Sequence, residues 1–174
     1  MMTMRSIGVG AFSLLLLTVG YATASSSGSP RGVDDEGLVG AWRSRVQFTS
    51  GAFASVKDLE LMYAFNAGGT MTESSNYDGS PPVPPAYGVW RKVAAGQYEA
   101  TYSFYVTKAP KAFDDIAKGG GWSPGGIGVI VEKIALAGDG KTYTSTLRVD
   151  VFDETGKLVE SGSEAFGRGS RMSF

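Results

Sequence analysis

The sequence predicts an all-β chain in which eight antiparallel strands run up and down and close into a barrel, with a short helix between strands five and six. Three observations carry this expectation. Apolar residues recur at every second position over most of the chain from Val39 onward. Gly, Pro, Asn or Asp residues bound each alternating run. The connections between runs alternate between tight and long, as in a meander whose turns emerge at opposite ends.

The chain begins with a targeting pattern. Arg5 gives a positive start, Ile7 to Val19 is an apolar run carrying Leu14 to Leu17, and Ala22-Thr23-Ala24 fits the small-x-small cleavage rule. Residues 1–24 are therefore expected to be a signal peptide cut after Ala24. The apolar run falls short of the roughly 20 residues that span a bilayer, so no stable membrane span is expected after cleavage. Residues 25–37 are small, polar and aperiodic and are expected to form a flexible linker to the barrel domain, 38–174. The expected location is secreted or periplasmic, and zero Cys leaves the fold to be held by burial alone.

The first strand is expected at 39–48, where Trp42, Ser44, Val46 and Phe48 share one face. The second, 57–66, places Leu59, Leu61, Tyr63 and Phe65 together. The remaining six are expected at 69–75, 87–93, 97–108, 126–137, 141–152 and 157–168. Between the fifth and sixth, Phe113, Ile116 and Ala117 in "KAFDDIAK" share one face of a short helix. "NAGG", "AAGQ" and "GDGK" are the tight connections, and Asp139-Gly140 is a type I′ hairpin signal. Three of the other connections are longer, so one end is nearly shut and the other carries the long loops. Closure removes exposed edges, and eight strands enclose side chains or one small ligand.

The mouth is assigned to "SSNYDGSPPVPPAY" and "APKAFDDIAKGGGWSPGG". Pro81, Pro82, Pro84 and Pro85 stiffen the first, while Gly119, Gly120 and Gly121 leave the second free to move around Trp122. Trp122 is read as a lid residue or, more simply, as an aromatic packed on the rim.

The sequence also limits the chemistry. With zero His and zero Cys, Ser-His-Asp and Cys-His constellations and ordinary zinc sites are absent. The formal net charge of −1, with both signs mixed along the chain, gives no basic stripe for nucleic acid. "GDGKT" lacks the first glycine of a phosphate loop, having Ala135 there, and joins two strands. No cofactor and no metal are expected. Tyr63, Phe65, Trp90, Tyr98, Tyr102, Phe104 and Tyr143 are candidate lumen residues, their phenols dotting apolar faces with hydrogen-bonding points; a filled core is the alternative. Glu73 has the parity of Met71 and Glu132 that of Ile130 and Ile134, so both carboxyls could point inward. Glu73 and Trp122 complete the candidate ligand-binding set, although a bulge or a water-reached mouth position is the simpler expectation for both glutamates.

Gly40-Ala41-Trp42 at the head of the first strand, and Arg171 or Arg168 near the end of the last, resemble the calycins, the lipocalin type of barrel. The resemblance implies that Trp42 closes the floor with an arginine across it, held by cation–π attraction. The order Gly40-Ala41-Trp42, Phe65 with Gly69-Thr70, Gly88-Val89-Trp90 and Gly169-Ser170-Arg171 is similar to that of small exported bacterial lipocalin-like proteins. The expected partner is thus a small hydrophobic or amphipathic molecule. A barrel cyclase or isomerase acting by confinement is the alternative, and a packed module without ligand is a third. Export is directly measurable: secreted from a bacterial host, the mature protein is expected to begin at Ser25, checked by intact-mass spectrometry.

Overall fold

In the computed structural model, residues 37–77, 84–117 and 121–174 are described. The expected signal peptide, all of the expected linker except Gly37, and parts of both mouth loops, including Pro81, Pro82, Gly119 and Gly120, lie outside them.

Eight strands form one closed antiparallel barrel in sequence order. They are β1 (Gly40–Phe48), β2 (Leu59–Phe65), β3 (Thr70–Ser75), β4 (Ala86–Ala94), β5 (Gln97–Lys108), β6 (Ser123–Leu136), β7 (Thr142–Phe152) and β8 (Leu158–Arg171). A short helix, α1 (Phe113–Ala117), lies between β5 and β6. A 3₁₀ turn at Ala52–Ser55, in a segment expected to be only a loop, follows β1. The strands form where the period-two pattern predicts them, with small shifts. β6 starts three residues early and β8 runs three residues further, because each gains ladder partners on the neighbouring strand.

Closure occurs where β1 meets β8, with Trp42 directly opposite Arg171. The Arg171 guanidinium lies 4.3 Å from the Trp42 ring centroid. It also donates to the carbonyls of Gly140 at 2.8 Å, Val39 at 2.6 Å and Gly37 at 2.5 Å. One side chain therefore ties the lead-in segment, the β6–β7 turn and the last strand together. The Trp42 indole Nε1 donates to the Leu38 carbonyl at 2.8 Å, satisfying its only polar atom inside the core. Gly40 is required twice: its φ is +132°, and a Cβ there would stand 2.8 Å from Arg171 Nη1.

The other tight turns collect at the same end. Trp90 Nε1 donates to the carbonyls of Asn66 and Thr70, each at 3.1 Å, and the Trp90 backbone N–H donates to Gly69 at 2.7 Å. The four short motifs thus converge on the floor. The β6–β7 turn departs from type I′: Gly140 bonds back to Ala137 and is left-handed, but Asp139 is not. The connection has five residues rather than the two that a type I′ hairpin loop holds, so only its last glycine must adopt positive φ.

Inside, the floor layers are filled. Trp42 and Tyr143 have centroids 5.1 Å apart, Phe65 and Trp90 6.0 Å, and Trp90 and Tyr98 5.8 Å. Glycines make room for the large rings. Gly169 is paired with Tyr143, Gly88 with Tyr102 and Gly128 with Phe104, and a Cβ on any of these glycines would come within 2.4 Å of its partner. Outside, the wall carries cross-strand ion pairs such as Arg45–Glu60 at 3.4 Å and Arg91–Glu99 at 2.9 Å; exposed pairs of this kind add little stability.

The floor joint sets a stability expectation. Arg171→Ala should lower the unfolding free energy by about 2 kcal/mol, from the lost cation–π contact and carbonyl hydrogen bonds. Arg171→Lys should recover less than half of it, because an ammonium lacks the planar fork. Urea denaturation of the two variants measures both.

Candidate functional site

A cavity of about 330 Å³ occupies the end of the barrel away from the floor. The inward residues of β1 and β2 run from floor to mouth as Trp42, Ser44, Val46, Phe48 and Phe65, Tyr63, Leu61, Leu59. The lower members of each series fill the interior, while Phe48, Leu59 and Leu61 border the cavity. Leu147 and Val149 of β7, Ile130 of β6 and Phe104 of β5 complete much of its wall. Its volume falls within the range of ligand pockets, as does its mainly apolar wall with a few polar groups.

Of the nine residues that the sequence puts forward for ligand contact, Glu73 and Phe104 line this cavity. Tyr63, Phe65, Trp90, Tyr98, Tyr102 and Tyr143 are buried among one another in the filled floor, so the aromatic face seen in the sequence is here packing. Trp122 is half-buried next to the start of β6 and does not border the cavity. The aromatic at the entrance is instead Phe53, on the 3₁₀ turn after β1. Its ring lies 5.2 Å from Phe48 and 5.5 Å from Tyr77 by centroids. A single phenylalanine in an irregular loop has no periodic signal, and nothing in the sequence singled it out.

The interior is also more polar than expected. Glu132 is 0% exposed and Glu73 is 7% exposed, which corrects the expectation that a bulge or a wet mouth would bring them to water. The ladder through β3 and the middle of β6 is regular, so strand parity carries both carboxyls inward. Tyr102 donates to Glu132 Oε2 at 2.9 Å, and the Tyr63 and Tyr102 hydroxyls are 3.2 Å apart. Since Tyr102 has one O–H and it is given to Glu132, Tyr63 donates to Tyr102. Glu132 Oε1, Glu73 Oε1, and the hydroxyls of Ser44, Ser145 and Tyr143 have no hydrogen-bond partner in the protein.

No Lys or Arg is buried beside these acids among the described residues. Burial therefore pushes the Glu73 carboxyl up to about 8, with the charge of Glu132 adding to the shift. Burial likewise raises Glu132, and the Tyr102 hydroxyl that donates to it opposes the shift. Burial pushes the Tyr63 and Tyr102 phenols well above their ordinary value, so both remain hydrogen-bond donors.

Among the described residues, no group of three or more Asp or Glu side chains is arranged to hold a metal ion, and no helix is long and apolar enough to cross a membrane. No family model matches the chain, and neither the curated proteins nor the solved structures give a significant match to it. The eight-stranded antiparallel barrel is consistent with a calycin-like fold.

The raised carboxyls make stability depend on pH with a definite sign. An acid whose folded pKa is raised above its ordinary 4.5 holds its proton more tightly when folded. Its contribution is complete below about 4.5 and is lost as pH climbs toward 8. The expected slope for Glu73 is at most about 1.4 kcal/mol per pH unit. Glu73→Gln should remove it, and chemical denaturation across that window checks the difference in slope.

Proposed function

We propose that this chain is an exported lipocalin-like barrel that binds a small hydrophobic or amphipathic molecule at the open end of its lumen. The cavity carries the reading: it is enclosed by inward faces of several strands, walled mainly by aliphatic and aromatic side chains, and bordered by a buried carboxyl. A ligand placed there removes apolar surface from water, at about 25 cal/mol per Å² before the costs of association are deducted. The N-terminal pattern supports export, and the charged outer wall suits a barrel surrounded by water rather than lipid. The four floor motifs support kinship with the small exported bacterial lipocalin-like proteins, since they act together on closure and leave the opposite end free for a ligand.

Filling the cavity tests the reading. Ser75 lines it near the mouth, on the inward parity of Met71 and Glu73, so Ser75→Trp places an indole in the ligand's volume without altering the floor. The unaltered mature protein is expected to retain small hydrophobic species from a lipid extract in native mass spectrometry, and Ser75→Trp to retain at least ten-fold less at an unchanged Tm. Equal retention by both proteins, or none by the unaltered one, contradicts a binding role for this cavity.

A further inference from the structure

The walls of the cavity are unequal in charge. Among the described residues its charged lining is Glu73 and Glu160, with neither Lys nor Arg. Lys108 and Lys111 line a separate hollow, and Lys108 is paired with Glu154. Glu160 is already engaged, accepting from Ala52 N at 3.1 Å and from the Ser163 hydroxyl. Glu73 is different: it is buried, it borders the cavity, and its Oε1 has no partner. Aromatic rings accompany it, with Phe48, Phe53, Tyr77 and Phe104 in the same wall.

We propose that the cavity selects an organic cation, a small apolar molecule bearing an amine or quaternary ammonium group, whose charge pairs with the Glu73 carboxylate while its apolar body lies against the aromatic wall. The inference rests on the binding role proposed above and narrows it to a ligand class. A carboxylate-bearing ligand such as a fatty acid would find no Lys or Arg among the described lining residues to pair with, and its charge would oppose that of Glu160 and any ionisation of Glu73 in a region of low dielectric, where like charges repel strongly. A neutral alcohol would satisfy the free oxygen but gain neither the charge pairing nor the cation–π attraction of the rings.

Binding of a permanent cation is then linked to a proton. The ionisable groups facing Glu73 are Glu132 from β6, Tyr63 from β2 and Tyr102 from β5; all are acids, so none supplies a competing positive charge. With its pKa near 8, Glu73 is protonated in the empty barrel at neutral pH. The arriving cation favours the ionised form, and the proton leaves to solvent. Affinity should therefore rise about ten-fold per pH unit up to about pH 8 and then level off.

Three probes that share an octyl chain separate the alternatives: octyltrimethylammonium, octanol and octanoate, each competing with the neutral fluorophore N-phenylnaphthylamine on the mature domain. The expected order is cation, then alcohol, then carboxylate, with the cation at least ten-fold tighter than the alcohol at pH 8. In Glu73→Gln the ratio of cation to alcohol should fall to about one. If that variant does not fold, calorimetry of the unaltered protein in two buffers of different ionisation enthalpy reads the expected proton release on cation binding at neutral pH. Octanol or octanoate matching the cation, or cation binding without proton release, overturns the cation inference and leaves the binding role standing. Failure of the fluorophore and of all three octyl probes to bind overturns both.

Discussion

The fold depends on one joint, the pairing of β1 with β8 under the Trp42–Arg171 stack. A sheet of eight twisted strands has two edges unless it closes, and an unpaired edge is open to pairing with other chains. Here the two edge strands meet along seven register pairs, and the pair at the floor end is the one made by the indole and the guanidinium. Because Arg171 also holds three backbone carbonyls from segments far apart in sequence, this joint fixes the lead-in segment, the last strand and a turn at once. Closure in turn gives every inward side chain the same enclosed volume to share.

How that volume is divided follows from size. Near the floor, rings on β1, β2, β4, β5 and β7 meet and occupy the space, with glycine opposite Tyr102 and Tyr143 so that the barrel is not forced apart. Toward the mouth the inward residues become smaller or lean on the wall. Phe104 lies over Gly128, and a cavity remains that Ser75, Leu147 and Val149 line. The floor motifs and the cavity are thus complementary: one end is packed to hold the barrel shut, and the other is left free.

Between the two lies a layer of buried acids and hydroxyls that stability alone would not select. Unpartnered polar atoms in a low-dielectric interior are destabilising, and Glu73 and Glu132 both have an oxygen without a partner. Burial raises both acids toward their neutral form, and Tyr102 and Tyr63 supply a short hydrogen-bonded chain to Glu132. Local rules are most often broken where a protein binds or reacts, and of these acids Glu73 is the one that also borders the cavity.

The sequence by itself determined the strands, their order, the end that closes and the residues that close it. Period-two alternation states which face a side chain occupies, and the lengths of the connections state at which end each turn falls. Gly40, Trp42 and Arg171 were legible together only through the resemblance of their motifs to the calycins, since Arg171 lies beyond the last strand that alternation predicts. Only the tertiary structure decided how full the lumen is. Alternation gives a side chain its face but not its height along the barrel, so Tyr63, Tyr98, Tyr102 and Tyr143 face inward as read but lie in the packed core and do not line the cavity. The inward burial of Glu73 and Glu132 required regular ladders on both neighbouring strands, and the position of Phe53 required an irregular loop to fold back. Whether a barrel holds a cavity is a sum of volumes contributed by eight strands at matched heights, and no single stretch of sequence contains that sum.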